Sequence, residues 1–287
     1  MTLDTRIGPQ TARFAVLGET LGHTWSPYIH NSLFAAAGRD AVYLPVTIPR
    51  DRLSSAVDVL RSCFGGFNVT IPYKERIIPL LDGIDDAARA CGAVNTVVCR
   101  DGRLTGHITD GLGLLRALEE GGVQTRQADA LILGGGGAAR AAAVAFLDLG
   151  GRVTFAVRDL PKGESLAREL ADLLPDGMAR LSVRPLGGEL GAHDVLINCT
   201  PVGMHPREDA CPVGEEAVAR CGAVFDAVYN PRKTRLLALA ERLGVRAVEG
   251  LGMLYYQAVE AQKLWFGDTG VAPDAQRALY EELLRRM

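Results

Sequence analysis

Lysine is the scarcest charge in this chain: of 31 basic residues in 287, only Lys74, Lys162, Lys233 and Lys263 are lysines. The six cysteines form no C-x-x-C pair and have no histidine at metal spacing, which excludes a zinc site and points to free thiols in a reducing cytoplasm. No apolar run approaches the ~20 residues that span a bilayer. The first ten residues lack the apolar core of a signal peptide, so neither membrane insertion nor export is expected. No basic block breaks a net charge of −3, which argues against a nucleic-acid partner. Repeats and low-complexity tracts are missing too. What remains is a globular composition, 48% hydrophobic and 23% charged, long enough for two domains with a core each.

Against that scarcity, the placing of Lys74 invites a chemical reading. Residues 66–74, Gly-Phe-Asn-Val-Thr-Ile-Pro-Tyr-Lys, form a short β-branched run that stops at a proline and delivers a lysine just beyond. Arginine holds its proton throughout the working pH range, whereas lysine releases one if its environment favours the neutral form. A solvated lysine in the first turn of a helix is the plainer alternative.

The first ~110 residues alternate strand and helix signals, with strands expected at 14–18, 42–48, 67–71, 94–99 and 103–108. Ser26-Pro27 reads as an N-cap with proline at the first helical position, and 51–63 as an amphipathic helix. Asp101-Gly102 marks a hairpin. From residue 112 a helix leads into strands expected at 130–133, 152–157, 181–184, 195–199, 224–228 and 245–248, separated by helices. That rhythm means an α/β fold with a parallel sheet covered on both faces. Leu131-Ile-Leu133 runs directly into Gly134-Gly135-Gly136-Gly137-Ala138 and an alanine-rich helix. Glycines after a strand and before a helix let a backbone approach a pyrophosphate, while the helix N-terminus offers free N–H groups. At the end of the next strand Arg158 suits a ribose 2′-phosphate, with Lys162 adding charge. Asp159 argues the other way. The cofactor expected is NADP, with NAD the alternative.

Taken together, Gly66–Lys74, Gly92–Thr96, Thr109-Asp110-Gly111, Gly134–Arg140, Asn198–Met204 and Glu249–Met253 followed by Gln257 resemble the shikimate dehydrogenase family, in that family's order and over almost the whole chain. The resemblance implies an N-terminal α/β substrate domain (1–111 with 252–287) and a Rossmann-like, doubly wound NADP domain (112–251), with C-terminal helices returning to the first. The implied reaction is reversible, NADP-dependent reduction of 3-dehydroshikimate to shikimate by a cytoplasmic monomer or homodimer. Lys74 and Asp110 match the catalytic pair. Thr24, Ser26, Asn68, Thr70, Asn95, Tyr229 and Gln257 match substrate positions. Gly134 to Ala138, Arg158 and Lys162 match cofactor positions, with Met204 and Gly250 near the nicotinamide end. No metal is implied.

The residue types agree with a polyhydroxylated acid as substrate, which needs hydroxyls, amides and a cation more than apolar surface. A free lysine, with pKa ~10.4, is almost wholly charged at neutrality and so donates a proton readily, which favours the reducing direction. Thr24 stands where serine is commoner, beside a bulky Trp25, and Ile108 where asparagine is usual; these keep a quinate or aminoshikimate dehydrogenase in view. A catalytically silent sensor of the same fold would have lost the Lys–Asp pair, and an unrelated reductase would not carry 66–74 or 92–96.

Overall fold

A computed structural model describes residues 7–287. The chain divides into two compact units, one running up to Thr109 and resuming at Gln257–Met287, the other comprising Asp110–Tyr256. Among the described residues no helix is long and apolar enough to cross a membrane.

The first unit is built on a six-stranded mixed sheet in the order β2-β1-β3-β5-β6-β4: β1 Ala12–Gly18, β2 Ala41–Thr47, β3 Gly66–Val69, β4 Gly83–Ile84, β5 Thr96–Arg100, β6 Arg103–His107. Helices α1 (Ser26–Ala36), α2 (Leu53–Cys63) and α3 (Asp86–Cys91) belong to it. The apolar run of β1 lies between parallel neighbours β2 and β3, where burial on both faces suits a continuous hydrophobic strand. β2 is an edge strand and tolerates Pro45, whose missing N–H would cost a ladder bond in a central strand. Phe14, Phe34, Tyr43 and Trp265 close the core, the Phe14 and Trp265 rings 4.7 Å apart. Trp265 donates to the Val97 carbonyl at 3.0 Å, and a Cβ at Gly66 would run into its indole, so only glycine admits it there. The Ser26 cap expectation is corrected. Ser26 is the first helical residue of α1, and Trp25 occupies the cap without a side-chain bond.

The second unit is a six-stranded, wholly parallel sheet in the order β12-β11-β10-β7-β8-β9. Its strands are β7 Asp129–Leu133, β8 Arg152–Val157, β9 Leu181–Pro185, β10 His193–Asn198, β11 Cys221–Asp226 and β12 Arg246–Glu249. The helices are α4 Asp110–Glu120, α5 Gly137–Asp148, α6 Leu160–Ala171, α7 Glu215–Ala219 and α8 Arg235–Arg242; α9 (Leu251–Phe266) passes from this unit to the first, and α10 (Pro273–Arg286) ends the chain. Near-continuous apolar runs such as Ala130–Leu133 are fully buried, as both faces of a parallel sheet require. Strand order reverses between β7 and β10. In a doubly wound sheet, that switch point at the carboxyl ends is where a ligand settles.

Candidate functional site

In the first unit the sheet register places the site's amides. Asn68 of β3 stands opposite Thr96 of β5 in an antiparallel pair, so both side chains leave the same face. Asn68 Nδ2 donates to Thr96 Oγ1 at 2.9 Å and to the Asn95 carbonyl at 3.1 Å, and the Tyr43 hydroxyl donates to Asn68 Oδ1 at 2.6 Å. A carbonyl only accepts, which fixes the orientation of the Asn68 amide and leaves it no free donor.

Asn95 is oriented the same way. Its Oδ1 accepts the Thr109 N–H at 2.8 Å and the Thr96 hydroxyl at 3.0 Å. Its Nδ2 therefore turns to Thr109 Oγ1 at 3.0 Å and to Gln257 Oε1 at 3.4 Å. Asn68, Asn95, Thr96, Thr109 and Gln257 are all buried, forming one polar knot where an unsatisfied member would be costly. Thr96, Thr109 and Tyr43 were not singled out from sequence. Thr96 and Thr109 sit inside motifs that were, and asking where a buried Asn95 finds its partners would have exposed them.

Lys74 lies on the turn that leaves β3, not in a helix. The Val94 N–H donates to its carbonyl at 2.8 Å, tying the turn to the segment that carries Asn95 into β5. Next to it Tyr73 is fully buried, its hydroxyl bonded to the Ile48 carbonyl. Buried neighbours hold the backbone while the Lys74 side chain stays half-buried. Thr70 packs its methyl against Gly18, and its hydroxyl bonds no other group among the described residues. Thr24 and Ser26 are joined, Thr24 Oγ1 lying 3.3 Å from both the N and Oγ of Ser26. Behind Tyr43, His30 is stacked at 4.1 Å and wholly buried; burial pushes its pKa down to about 3, so the ring is neutral.

The second unit offers backbone instead. Gly134 has φ +103°, which favours glycine, and packs 3.1 Å (as a built Cβ) from Thr200. A Cβ at Gly136 or Gly137 would meet nothing, and one at Gly135 only ordinary contacts, so the loop is open above its backbone. α5 begins there with neither a side-chain cap nor an acidic residue in its first turn, leaving its N–H groups and positive dipole end for an anion. Arg158, at the end of β8, is exposed and bonds no protein group among the described residues. Asp159 caps α6, accepting the Lys162 N–H at 3.2 Å. These features fit a dinucleotide with an extra phosphate.

Elsewhere in this unit Asp110 opens α4, half-buried; Met204 is 46% exposed; Tyr229 is half-buried. Gly250 is buried and a Cβ there would collide with the Asp226 and Ala227 backbone, so packing alone demands glycine. The structure thus joins Asn68, Asn95 and Gln257 directly, pairs Thr24 with Ser26, and keeps Arg158 and Lys162 at one strand end. Asn198 and Asp226, buried side by side at the ends of β10 and β11, were assigned no role from sequence.

The family model for the shikimate dehydrogenase substrate binding domain matches residues 16–97. A protein of Rubrobacter xylanophilus named NADP-dependent shikimate dehydrogenase is 44% identical over 96% of this chain and 98% of its own. The crystal structure of the Thermus thermophilus shikimate 5-dehydrogenase in complex with NADP(H) and shikimate is similar with TM-score 0.84 and 34% identity, covering 94% of this chain and 99% of that one. A Listeria monocytogenes shikimate 5-dehydrogenase, solved with shikimate and NAD, has TM-score 0.88 and 32% identity over 97% of this chain and 98% of its own.

Proposed function

The chain belongs to the shikimate dehydrogenase family, and from that premise we propose that it catalyses the reversible, NADP-dependent reduction of 3-dehydroshikimate to shikimate, a step of aromatic amino acid biosynthesis. One observation carries the reading: a buried knot of amides and hydroxyls, Asn68, Asn95, Thr109 and Gln257, flanks the turn bearing Lys74. A ring acid with several hydroxyls requires that kind of lining.

Thr24 and Ser26 take the substrate carboxylate, and Asn68, Thr70, Asn95, Tyr229 and Gln257 its hydroxyls. Asn68 serves only as an acceptor, because both its amide hydrogens are engaged. Lys74 gives its proton to the carbonyl oxygen as negative charge develops there, and Asp110 orients and hydrogen-bonds the reacting groups. Gly134 to Ala138 hold the cofactor pyrophosphate over the α5 N-terminus; Arg158 and Lys162 hold the 2′-phosphate; Met204 and Gly250 border the nicotinamide. NADPH, when bound, supplies the hydride. None of the six cysteines forms a disulfide, which suits a reducing cytoplasm.

A four-way assay tests this: shikimate and quinate, each with NADP and NAD, followed by absorbance of the reduced cofactor. Shikimate with NADP is expected to give the highest kcat/KM. Preference for quinate would move the chain to a sister activity, and equal use of NAD would remove the role given to Arg158.

A further inference from the structure

At the carboxyl ends of β10 and β11, Asn198 and Asp226 are registered neighbours, both fully buried. The Asp226 carboxylate accepts from Asn198 Nδ2 at 2.9 Å, the Val228 N–H at 3.0 Å and the Thr234 hydroxyl at 2.6 Å. A carboxylate only accepts, so Asn198 must face it with its NH2 and turn Oδ1 the other way. That oxygen receives the Thr200 N–H at 3.0 Å and the Thr200 hydroxyl at 2.7 Å, while Nδ2 also reaches the Val202 carbonyl at 3.3 Å. One carboxylate thus roots two loops, 199–205 through Asn198 and 227–231 through Val228. At their far ends the loops clasp, the His205 N–H donating to the Asn230 carbonyl at 3.0 Å. Met204 and Tyr229 lie between root and clasp in the chain, each adjacent to a clasped residue. Burial pushes the Asp226 carboxyl up despite three donors, so its charge costs the folded state free energy.

From this arrangement we infer that Asp226 is a positioning residue, holding the loops of Met204 and Tyr229 in the one arrangement that supports hydride transfer. The inference rests on the function proposed above. Its third branch is a built-in control. Thr234 bonds Asp226 and turns one of its two lone pairs to the Leu237 N–H at 3.3 Å, capping α8 and touching neither loop's hydrogen bonds.

Four variants separate positioning from stability. Asp226→Ala and Asn198→Ala each cut a root and should lower kcat by up to about 100-fold, the scale of an ångström-sized misplacement, with the Kd for NADPH nearly unchanged. Asp226→Asn should recover most of that loss, because its Oδ1 still serves Asn198 and Val228 while its NH2 turns to Thr234. Thr234→Val should lower the melting temperature and spare kcat. Should Asp226→Ala fail to fold, Asn198→Ala tests the same loop from the other end. Hydrogen exchange at Thr200 and Val228, read in the NADP-bound protein without substrate, should quicken in Asp226→Ala and stay slow in Asp226→Asn. Unchanged exchange, or a kcat loss no larger than in Thr234→Val, would overturn the inference. A wild-type chain inactive on shikimate would overturn only the substrate reading, since exchange still reports the loops.

Discussion

The two units use opposite means to build a polar site. In the first, side chains satisfy one another: Asn68, Asn95, Thr96, Thr109 and Gln257 are buried and mutually bonded, and each amide is oriented by a partner that can only donate or only accept. In the second, the glycine loop presents bare backbone, and its charges, Arg158 and Lys162, stand in solvent. A buried knot imposes shape and punishes any change in a member. An open loop with exposed cations recognises charge, tolerates variation and is screened by salt. Selectivity for one ring acid suits the first construction, and capture of a dinucleotide shared by many enzymes suits the second.

The most severe way to break the comparison is to remove the chemistry of one unit and ask whether the other notices. Lys74→Met should lower kcat about 10³-fold, the range of general acid catalysis, while leaving NADPH binding nearly unchanged in a fluorescence titration. A variant keeping most of its turnover would sink the role given to Lys74. Parallel loss of NADPH affinity would show that the two constructions are not separable.

Acid should also divide them. His30, in the first unit, has its pKa pushed down to about 3 by burial. Its unfolded form takes a proton below ~6.5 while the folded form does not, so stability falls as pH falls through that window. From pH 7.5 to pH 5 this amounts to about 2 kcal/mol. Asp226, in the second unit, is pushed the other way by burial. Between its raised folded value and the ordinary ~3.9, mild acid stabilises that unit. Trp25 and Trp265 both belong to the first unit, so tryptophan fluorescence during urea unfolding follows it alone. The midpoint should drop at pH 5 in the wild type and drop less in His30→Phe; equal drops would remove His30 as the cause.

How much of this was legible in the sequence follows the same division. The glycine loop was readable because its determinants are local: a strand, small residues and a helix start lie within about ten positions, as dinucleotide motifs require. The Lys74 turn was readable because a β-branched run ending at proline is also local. The knot was not, since Asn95 meets Thr109 fourteen positions away and Gln257 in another segment altogether. Thr96 reads as an ordinary strand residue until the register brings it opposite Asn68, and Thr109, outside any strand, meets Asn95 only once the chain has folded back. Gly66 and Gly250 stand out in sequence as parts of motifs, yet their packing demand, set by Trp265 and by the Asp226 and Ala227 backbone, exists only in three dimensions. In sequence Asp159 reads as a local repulsion, because sequence shows proximity and not direction; its bond to the Lys162 N–H makes it a helix cap.

The gentlest test falls on the exposed side of the comparison. Arg158 has no partner among the described residues, so removing it breaks no internal bond, and any loss belongs to the ligand. Arg158→Ala should weaken NADP about tenfold, the scale of one charge-assisted contact to a phosphate carrying −1.5 to −2 charges, and leave NAD unchanged. Lys162→Ala should cost less, about threefold, because its side chain is 87% exposed and already lies 3.7 Å from Asp159. Titrating both nucleotides at low and high salt separates the two constructions. A surface contact to phosphate fades with salt, so the wild-type preference for NADP should shrink as salt rises and the Arg158→Ala preference should barely move. If salt leaves the wild-type preference intact, the phosphate is held by buried groups, and the second unit is built more like the first than its open loop suggests.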